Sequence, residues 1–440
     1  QKRLLLHGQN RRPCCSLYVL DTVKDIMKAH LTAQNPGARP LDGIRVLDFT
    51  RVLSGPHCAR MLSDLGAEVI KIEPPEGDLT RFAFPRVGSM STYFAQQNIG
   101  KLNMSMNLKK PEAIELVKGL VAQSDVLIEN YRGGVMDSLG LGYDALAEIN
   151  PRLIYASITG YGTTGPWAHR RAYATVINAE TGMTGIQADA RNGELSNDPH
   201  SHADVYTGME TAAGILAALF QREHSGVGQH VDVSMAQTML YVNEHTQNEL
   251  YVDEVPADLI RSFQPGDYPI LTTGNGTLVV VSGHPAERGT FDLFAKAMKR
   301  PDMLTDPRFD TVAKRLANLA ELQQVVRDWA LTVQTAEEIE DTFAEAGLAM
   351  GVLRKMTDLA ETDWAHDRNA IIAIDDRSGG TFRIPNAPWQ FSGAEVSTQG
   401  IPKFRGEDNA EVLQRLLGVS AEEVAALTES GALSIRLPKN

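Results

Sequence analysis

Gly43-Ile44-Arg45-Val46-Leu47-Asp48-Phe49 and Ala67-Glu68-Val69-Ile70-Lys71-Ile72-Glu73, with residues 56–65 between them, decide the fold. The flanking segments are apolar runs with β-branched residues, the composition of buried strands, and the middle carries helical spacing. Strand, helix and strand within about 30 residues make a βαβ unit. The grammar repeats downstream. Residues 111–124 read as an amphipathic helix with Pro111 in its first turn, and Asp125-Val126-Leu127-Ile128-Glu129-Asn130 reads as a strand. A short helix over 143–149 leads into a strand over 152–160, and long helices are expected over 204–223 and 234–252 around a strand at 229–233. Alternating β and α with nearly continuous apolar strands predicts an α/β fold whose parallel sheet is covered on both faces.

Beyond residue 262 the pattern changes. Residues 270–273 and 277–281 flank Gly274-Asn275-Gly276, a hairpin signal, and helices are expected over 285–298, 317–331 and 336–346. Thr335-x-x-Glu338 and Ser420-x-x-Glu423 are capping boxes. A second hairpin is expected over 370–384 around Ser378-Gly379-Gly380. The chain thus divides into an N-terminal extension (1–39), the N-terminal part of a large domain (40–235), a linker (236–262), a smaller α+β domain (263–345), a linker with hairpin (346–384) and a C-terminal segment (385–440).

Of the 440 residues 43% are hydrophobic and 22% charged, the composition of a globular chain rather than a disordered or fibrous one. No stretch reaches the ~20 apolar residues needed to cross a bilayer as a helix. Fifty-five acids against 42 Lys and Arg leave a net charge of −13, which argues against nucleic acid and anionic membrane as partners. An anionic ligand must therefore be met by a local cluster of cations and backbone N–H groups. Three cysteines, two of them the adjacent Cys14 and Cys15, form no disulfide framework and favour a reducing compartment. Residues 1–20 are basic without an acid, as in a mitochondrial transit peptide, an upstream extension or an added leader. A cytoplasmic location is expected, or the mitochondrial matrix if 1–39 is a transit peptide.

Several segments carry candidate chemistry. The junction Asp48-Phe49-Thr50-Arg51-Val52-Leu53-Ser54-Gly55-Pro56 lacks the G-x-G-x-x-G of a dinucleotide site, although Thr50 and Ser54 there can serve a ligand. Gly140-Leu141-Gly142-Tyr143-Asp144-Ala145 follows a turn rather than a strand. His200-Ser201-His202-Ala203-Asp204 has the spacing of a binuclear zinc hydrolase, but Val205 stands where a further His is needed, and the alternative is a pair of solvated histidines. Asp204 itself supports two readings: a carboxylate capping its own helix, worth about 1 kcal/mol, or a carboxylate nucleophile at the edge of a cleft. Arg170-Arg171 with Tyr173, after a glycine-bearing loop, reads as an anion clamp or as solvated loop. Glu129-Asn130-Tyr131-Arg132 at a strand end places polar groups where α/β proteins bind ligands.

These segments together resemble the class III CoA-transferases, the group of formyl-CoA, carnitine and succinate–hydroxymethylglutarate CoA-transferases related to α-methylacyl-CoA racemase. The resemblance runs through Pro40–Pro56 and Leu65–Glu73 and continues in Glu129-Asn130-Tyr131, Leu139–Tyr143, Ile149–Tyr155, Ser157–Pro166 and Gly226–Met235. It implies a large Rossmann-like domain that binds CoA, a smaller domain, and two chains interlocked as rings in a homodimer, with the C-terminal segment returning to the large domain. It makes Asp204 the nucleophile. It maps CoA contacts to Leu53, Ser54, Met106, Asn107, Leu108, Lys109, Asn130, Tyr131, Arg132, Arg171 and Tyr173. No metal or cofactor beyond the CoA substrate is implied, and the other partners are acyl-CoA and carboxylic acids.

Two departures from the family pattern stand out. Tyr173 occupies the position where the racemase branch uses a His base, and a phenol with reference pKa near ~10 replaces an imidazole near ~6.5 poorly. The glycine run that covers the formyl-CoA transferase site has no counterpart around residues 253–268. The expected activity is transfer of CoA from an acyl-CoA to a carboxylic acid through an aspartyl anhydride and an aspartyl-CoA thioester. Arg51 and Arg171 suit a dicarboxylate such as succinate. An acyl-CoA isomerase, or a zinc hydrolase using His200, His202 and Asp204, are the alternatives.

Overall fold

The computed structural model describes residues 38–190, 193–244, 246–251 and 268–437. Cys14, Cys15, nearly all of the 1–39 extension and all of the 253–268 stretch except Tyr268 lie outside them. Two compact units form: one from the chain up to Ile177 with Ser201–Thr238 and everything from Ile372 onward, the other from Asn178–His200 and Met239–Ile371.

The first unit is built on a six-stranded sheet. Its strands are β1 (Arg45–Asp48), β2 (Glu68–Glu73), β3 (Leu102–Ser105), β4 (Val126–Glu129), β5 (Ile154–Thr159) and β6 (Gln229–Ser234), in spatial order β3-β2-β1-β4-β5-β6. Every pairing is parallel. This is the doubly wound order of dinucleotide-binding folds, which reverses direction between β1 and β4 and opens a crevice there. Strand alternation sends Leu47, Ile70 and Leu127 to one face, where helix α2 (Pro111–Val121) and the C-terminal residues Val412, Leu413 and Leu433 cover them. It sends Val46, Val69, Val126 and Ile154 to the other, where α1 (Ser54–Asp64) contributes Cys58 and Leu62 and α3 (His202–Ser225) contributes Ile215. Both faces are buried, as the apolar runs predict.

The expected apolar strands nonetheless carry charge at their carboxyl ends. Asp48 is fully buried against Lys101 at 2.9 Å, Lys71 against Asp78 at 3.3 Å, and Glu73 against Arg81. Such charges persist inside a protein only when paired and hydrogen-bonded. Burial pulls Lys101 down to about 8 even with Asp48 opposing it. Strand β3 escapes a pattern reading because Leu102-Asn103-Met104-Ser105 is short and alternates polar with apolar; its partner β2 defines it.

The second unit holds an antiparallel sheet of Ile270–Thr272, Leu278–Ser282 and Ala349–Val352. Helices Thr290–Ala297, Leu319–Ala330 and Ala336–Ala346 pack Phe291, Phe294, Leu322, Val326 and Phe343 against it. The helix expected over 285–298 starts only at Thr290, and the one expected over 234–252 is two, Met235–Val242 and Thr246–Leu250. Both expected capping boxes are formed, and Ile371–Asp375 pairs with Thr381–Pro385 as the second hairpin. Among the described residues no helix is long and apolar enough to cross a membrane.

Candidate active site

Strand β1 ends at Asp48, and the chain turns through Thr50–Leu53 into α1. Thr50 is fully buried and its hydroxyl donates to Asp48, so it braces the turn instead of facing a ligand. Val52 sits at φ +70°, a left-handed conformation that costs a β-branched residue about 1–2 kcal/mol. It is held there from outside. The Val52 N–H donates to both carboxylate oxygens of Asp78 at 3.2 and 3.3 Å, while Lys71 Nζ donates to the Thr50 carbonyl at 2.7 Å and pairs with Asp78. The buried charges of β2 therefore set the shape of this turn.

The turn delivers Ser54 as the first residue of α1, and no side chain caps that helix. Its open end faces Asp204, whose carboxylate charge is favoured by the Ala174 N–H and by the Ser54 N–H and hydroxyl. A carboxylate placed at a helix N-terminus satisfies orphan N–H groups and the helix dipole together. Asp204 lies in the first turn of α3, but α3 has no side-chain cap and the groups that favour the Asp204 charge belong to other segments, which decides between its two readings: it does not cap its own helix. Close packing allows this meeting. A Cβ on Gly208, one turn after Asp204, would stand 2.5 Å from the Ser54 carbonyl oxygen, so only glycine lets α3 approach α1 this far. Burial raises the Asp204 carboxyl to about 6, and these Ala174 and Ser54 groups work in the opposite direction.

Asp204 opens into a cavity of about 550 Å³ at the carboxyl ends of β1, β4 and β5, where the sheet reverses. Four arginines, Arg51, Arg132, Arg170 and Arg171, line it against two acids, Glu76 and Asp204. Arg51 stands 5.3 Å over the Tyr131 ring, and Arg170 is held over Tyr161 and Trp167 at 4.8 and 4.4 Å. The paired arginines thus divide: Arg170 is stacked on aromatic rings, and Tyr173 beside Arg171 is 62% exposed.

Of the residues singled out in sequence, Ser54, Asn130, Tyr131, Arg132, Arg171, Tyr173 and Asp204 meet around this one cavity. Leu53 is buried behind it, and Met106, Asn107, Leu108 and Lys109 do not line it. Met106 is packed in the core opposite Leu433, and the Asn107 N–H is bonded to the Ala432 carbonyl. Glu76, Gly77, Leu79 and Phe82, which follow β2, line the cavity without having been singled out. Their only sequence signal is their place just after a parallel strand. Below the Asn130–Arg132 turn, the buried Glu129 carboxyl accepts from the Tyr131 N–H at 2.8 Å, and the Ser157 hydroxyl meets His230 Nε2 at 2.9 Å. Burial pushes Glu129 up to about 7.

The zinc geometry is not assembled. His202 stacks on Tyr206 with ring centroids 5.6 Å apart, and among the described residues no three His, Cys, Asp or Glu side chains are placed to hold a metal ion. A buried carboxylate facing an arginine-lined cavity suits nucleophilic attack on an activated acyl group carried by an anionic ligand.

Residues 41–409 match the family described as CoA-transferase family III. The acetyl-CoA:oxalate CoA-transferase of Acetobacter aceti is 36% identical over 83% of this chain and 93% of its own. The succinyl-CoA–L-malate CoA-transferase beta subunit of Chloroflexus aurantiacus is 31% identical over 88% of this chain and 96% of its own. Among solved structures, a CAIB/BAIF family protein from Brucella suis superposes with a TM-score of 0.72 at 29% identity, covering 86% of this chain and 99% of that one.

Proposed function

This chain belongs to CoA-transferase family III, and from that premise we propose that it moves CoA from a dicarboxylyl-CoA, such as succinyl-CoA, to a second carboxylic acid through covalent intermediates on Asp204. The observation that carries the reading is the Asp204 carboxylate itself: buried beside the N–H groups of Ala174 and Ser54, and facing a cavity with four arginines.

The Asp204 carboxylate attacks the thioester carbonyl, forming an aspartyl–acyl anhydride and releasing CoA thiolate. The thiolate attacks the aspartyl carbonyl of the anhydride, giving an aspartyl-CoA thioester and the free donor acid. The acceptor carboxylate then attacks that thioester, and the returning thiolate takes the new acyl group, which frees Asp204. Pre-positioning the weak carboxylate nucleophile against the thioester is worth roughly 7–11 kcal/mol of barrier. The Ser54 N–H and hydroxyl, which favour the carboxylate charge, would take up oxyanion charge as it develops. Arg132 and Arg171 hold anionic parts of CoA, and Arg51 meets the distal carboxylate of the acid. Tyr173, where the racemase branch has a His, leaves the isomerase reading without its base.

The test is a trap. Incubation with succinyl-CoA, a hydroxylamine quench and peptide mapping should place a hydroxamate on Asp204 and none in Asp204→Ala. α-Proton exchange into deuterated water without any adduct would replace transfer by isomerisation.

A further inference from the structure

The turn that carries Val52 and Ser54 runs from Asp48, the last residue of β1, to Pro56 in the first turn of α1. One buried ammonium joins its two ends. Lys101 stands immediately before β3, and its Nζ donates to the Asp48 carboxylate at 2.9 Å, to the Pro56 carbonyl at 2.9 Å and to the Asn98 side-chain oxygen at 3.0 Å. Asn98 ends the helix Thr92–Asn98, which packs against α1. Three acceptors around one nitrogen match the three N–H groups of an ammonium and exceed the two of a neutral amine. Lys101 is buried and does not line the Asp204 cavity.

Lys71, which holds the middle of the same turn through the Thr50 carbonyl, is not equivalent. Burial opposes its charge, but Asp48, Asp78 and Glu73 outweigh burial and raise it above the usual lysine value. Lys101 is paired with Asp48, and burial brings it down to about 8, with Asp48 and Asp78 opposing and the like charge of Lys71 assisting. From α1, burial holds His57 below and Cys58 above their ordinary values, and Asp64 is paired with Arg60. The helix Thr92–Asn98 meets Lys101 with the neutral Asn98 amide.

We propose that Lys101 is a positioning residue for the reaction at Asp204: its ammonium clamps both ends of the turn and so fixes Ser54, whose N–H and hydroxyl favour the Asp204 charge. The catalytic role rests on the function proposed above; the clamp itself does not. Deprotonation leaves two N–H groups for three acceptors, so the turn is no longer held as drawn. The ammonium is complete below about pH 8, and kcat falls as pH rises through that value. The acyl-CoA KM stays nearly constant, because Lys101 does not reach the cavity and Asn130 holds Arg51 independently.

The test is a kcat and KM profile from pH 7 to 9.5 on the full chain, with folding followed by circular dichroism. Wild type should lose about tenfold in kcat with KM within about twofold. Lys101→Met alone strands Asp48 as an uncompensated buried charge, so the variant is Asp48→Asn combined with Lys101→Met. It should remain folded, start about tenfold low in kcat at pH 7, and show no alkaline limb. A flat wild-type kcat, a double variant as fast as wild type, or a limb kept at the same pH in the double variant overturns the proposal. The last result assigns the limb to another group, such as the CoA thiol. A readout without turnover is the Ser54 amide resonance of the unliganded chain, which should titrate near pH 8 in wild type and not in the double variant. That shift in a chain that transfers no CoA leaves the clamp standing and removes the transferase reading; its absence removes the clamp.

Discussion

The side-chain amide of Asn130 closes two hydrogen bonds on the main chain of Arg51, accepting from its N–H at 2.9 Å and donating to its carbonyl at 2.8 Å. One residue leaves β4 and the other leaves β1, so this pair ties together the two lips of the crevice where the sheet reverses. The planar amide presents a donor and an acceptor side by side, as a carboxylate does not. Asn130→Asp keeps the acceptor and loses the donor; it is expected to raise the acyl-CoA KM about tenfold and to cost about 1–2 kcal/mol of stability. Steady-state kinetics with a denaturant melt checks both.

Asp204 should govern the acid limb of activity. Its carboxyl is raised to about 6 by burial, and attack requires the ionised form, so kcat/KM should fall as pH drops through about 6. The stability consequence has the opposite sense. A carboxyl whose folded pKa lies above its unfolded value favours the folded state at low pH, and that contribution is lost as pH rises from about 4 to 6. Asp204→Asn should therefore be inactive and, relative to wild type, increasingly stable across that window, by up to about 2 kcal/mol. Paired melts at pH 4, 5, 6 and 7 test this; an advantage that does not grow with pH rules out a raised carboxyl.

Gly208→Ala should damage the site without touching a ligand. The added methyl meets the Ser54 carbonyl, a backbone atom that cannot rotate away, so α3 must shift relative to α1. A displacement of about 1 Å at the nucleophile costs roughly 10²-fold in rate. The expected result is kcat down by about that factor, a folded chain by circular dichroism, and loss of stability of about 1–3 kcal/mol.

Val52→Gly separates strain from function. Glycine removes the left-handed penalty but adds unfolded-state entropy, so stability should change by less than about 1 kcal/mol in either direction. The freed turn should hold Ser54 less firmly, which predicts a lower kcat with a near-unchanged melting midpoint.

Glu129→Gln tests the network under the Asn130–Arg132 turn. With its carboxyl raised to about 7, Glu129 is protonated below that pH, and the amide mimics this form. The variant should match wild type in acyl-CoA KM below pH 6 and diverge from it above pH 8, measured across a KM–pH profile.

Much of this was legible in order along the chain. Apolar runs identify four of the six parallel strands, because a strand buried on both faces must be apolar whatever lies beside it, and alternation identifies the half-exposed edge strand β6. Capping boxes at Thr335 and Ser420 are local, four residues long, and form as read. Strand β3 was not legible, since Leu102–Ser105 is defined by β2 rather than by its own pattern. The family resemblance brought Asp204, Asn130, Arg132 and Arg171 forward, and they share a cavity. It also brought forward Met106–Lys109, which do not line that cavity.

The sequence by itself determined most of the strands and helices, and which polar residues sit at strand ends, because periodicity and caps act over a few residues. Tertiary structure alone decided what Asp204 does with its carboxylate. Helix capping and nucleophile read identically in the local sequence; the difference is whether the acceptor finds Ser54 and Ala174, segments brought to it by sheet order and by the absence of a side chain on Gly208. Electrostatics and hydrogen bonding depend on distance in space, and only the fold sets that distance.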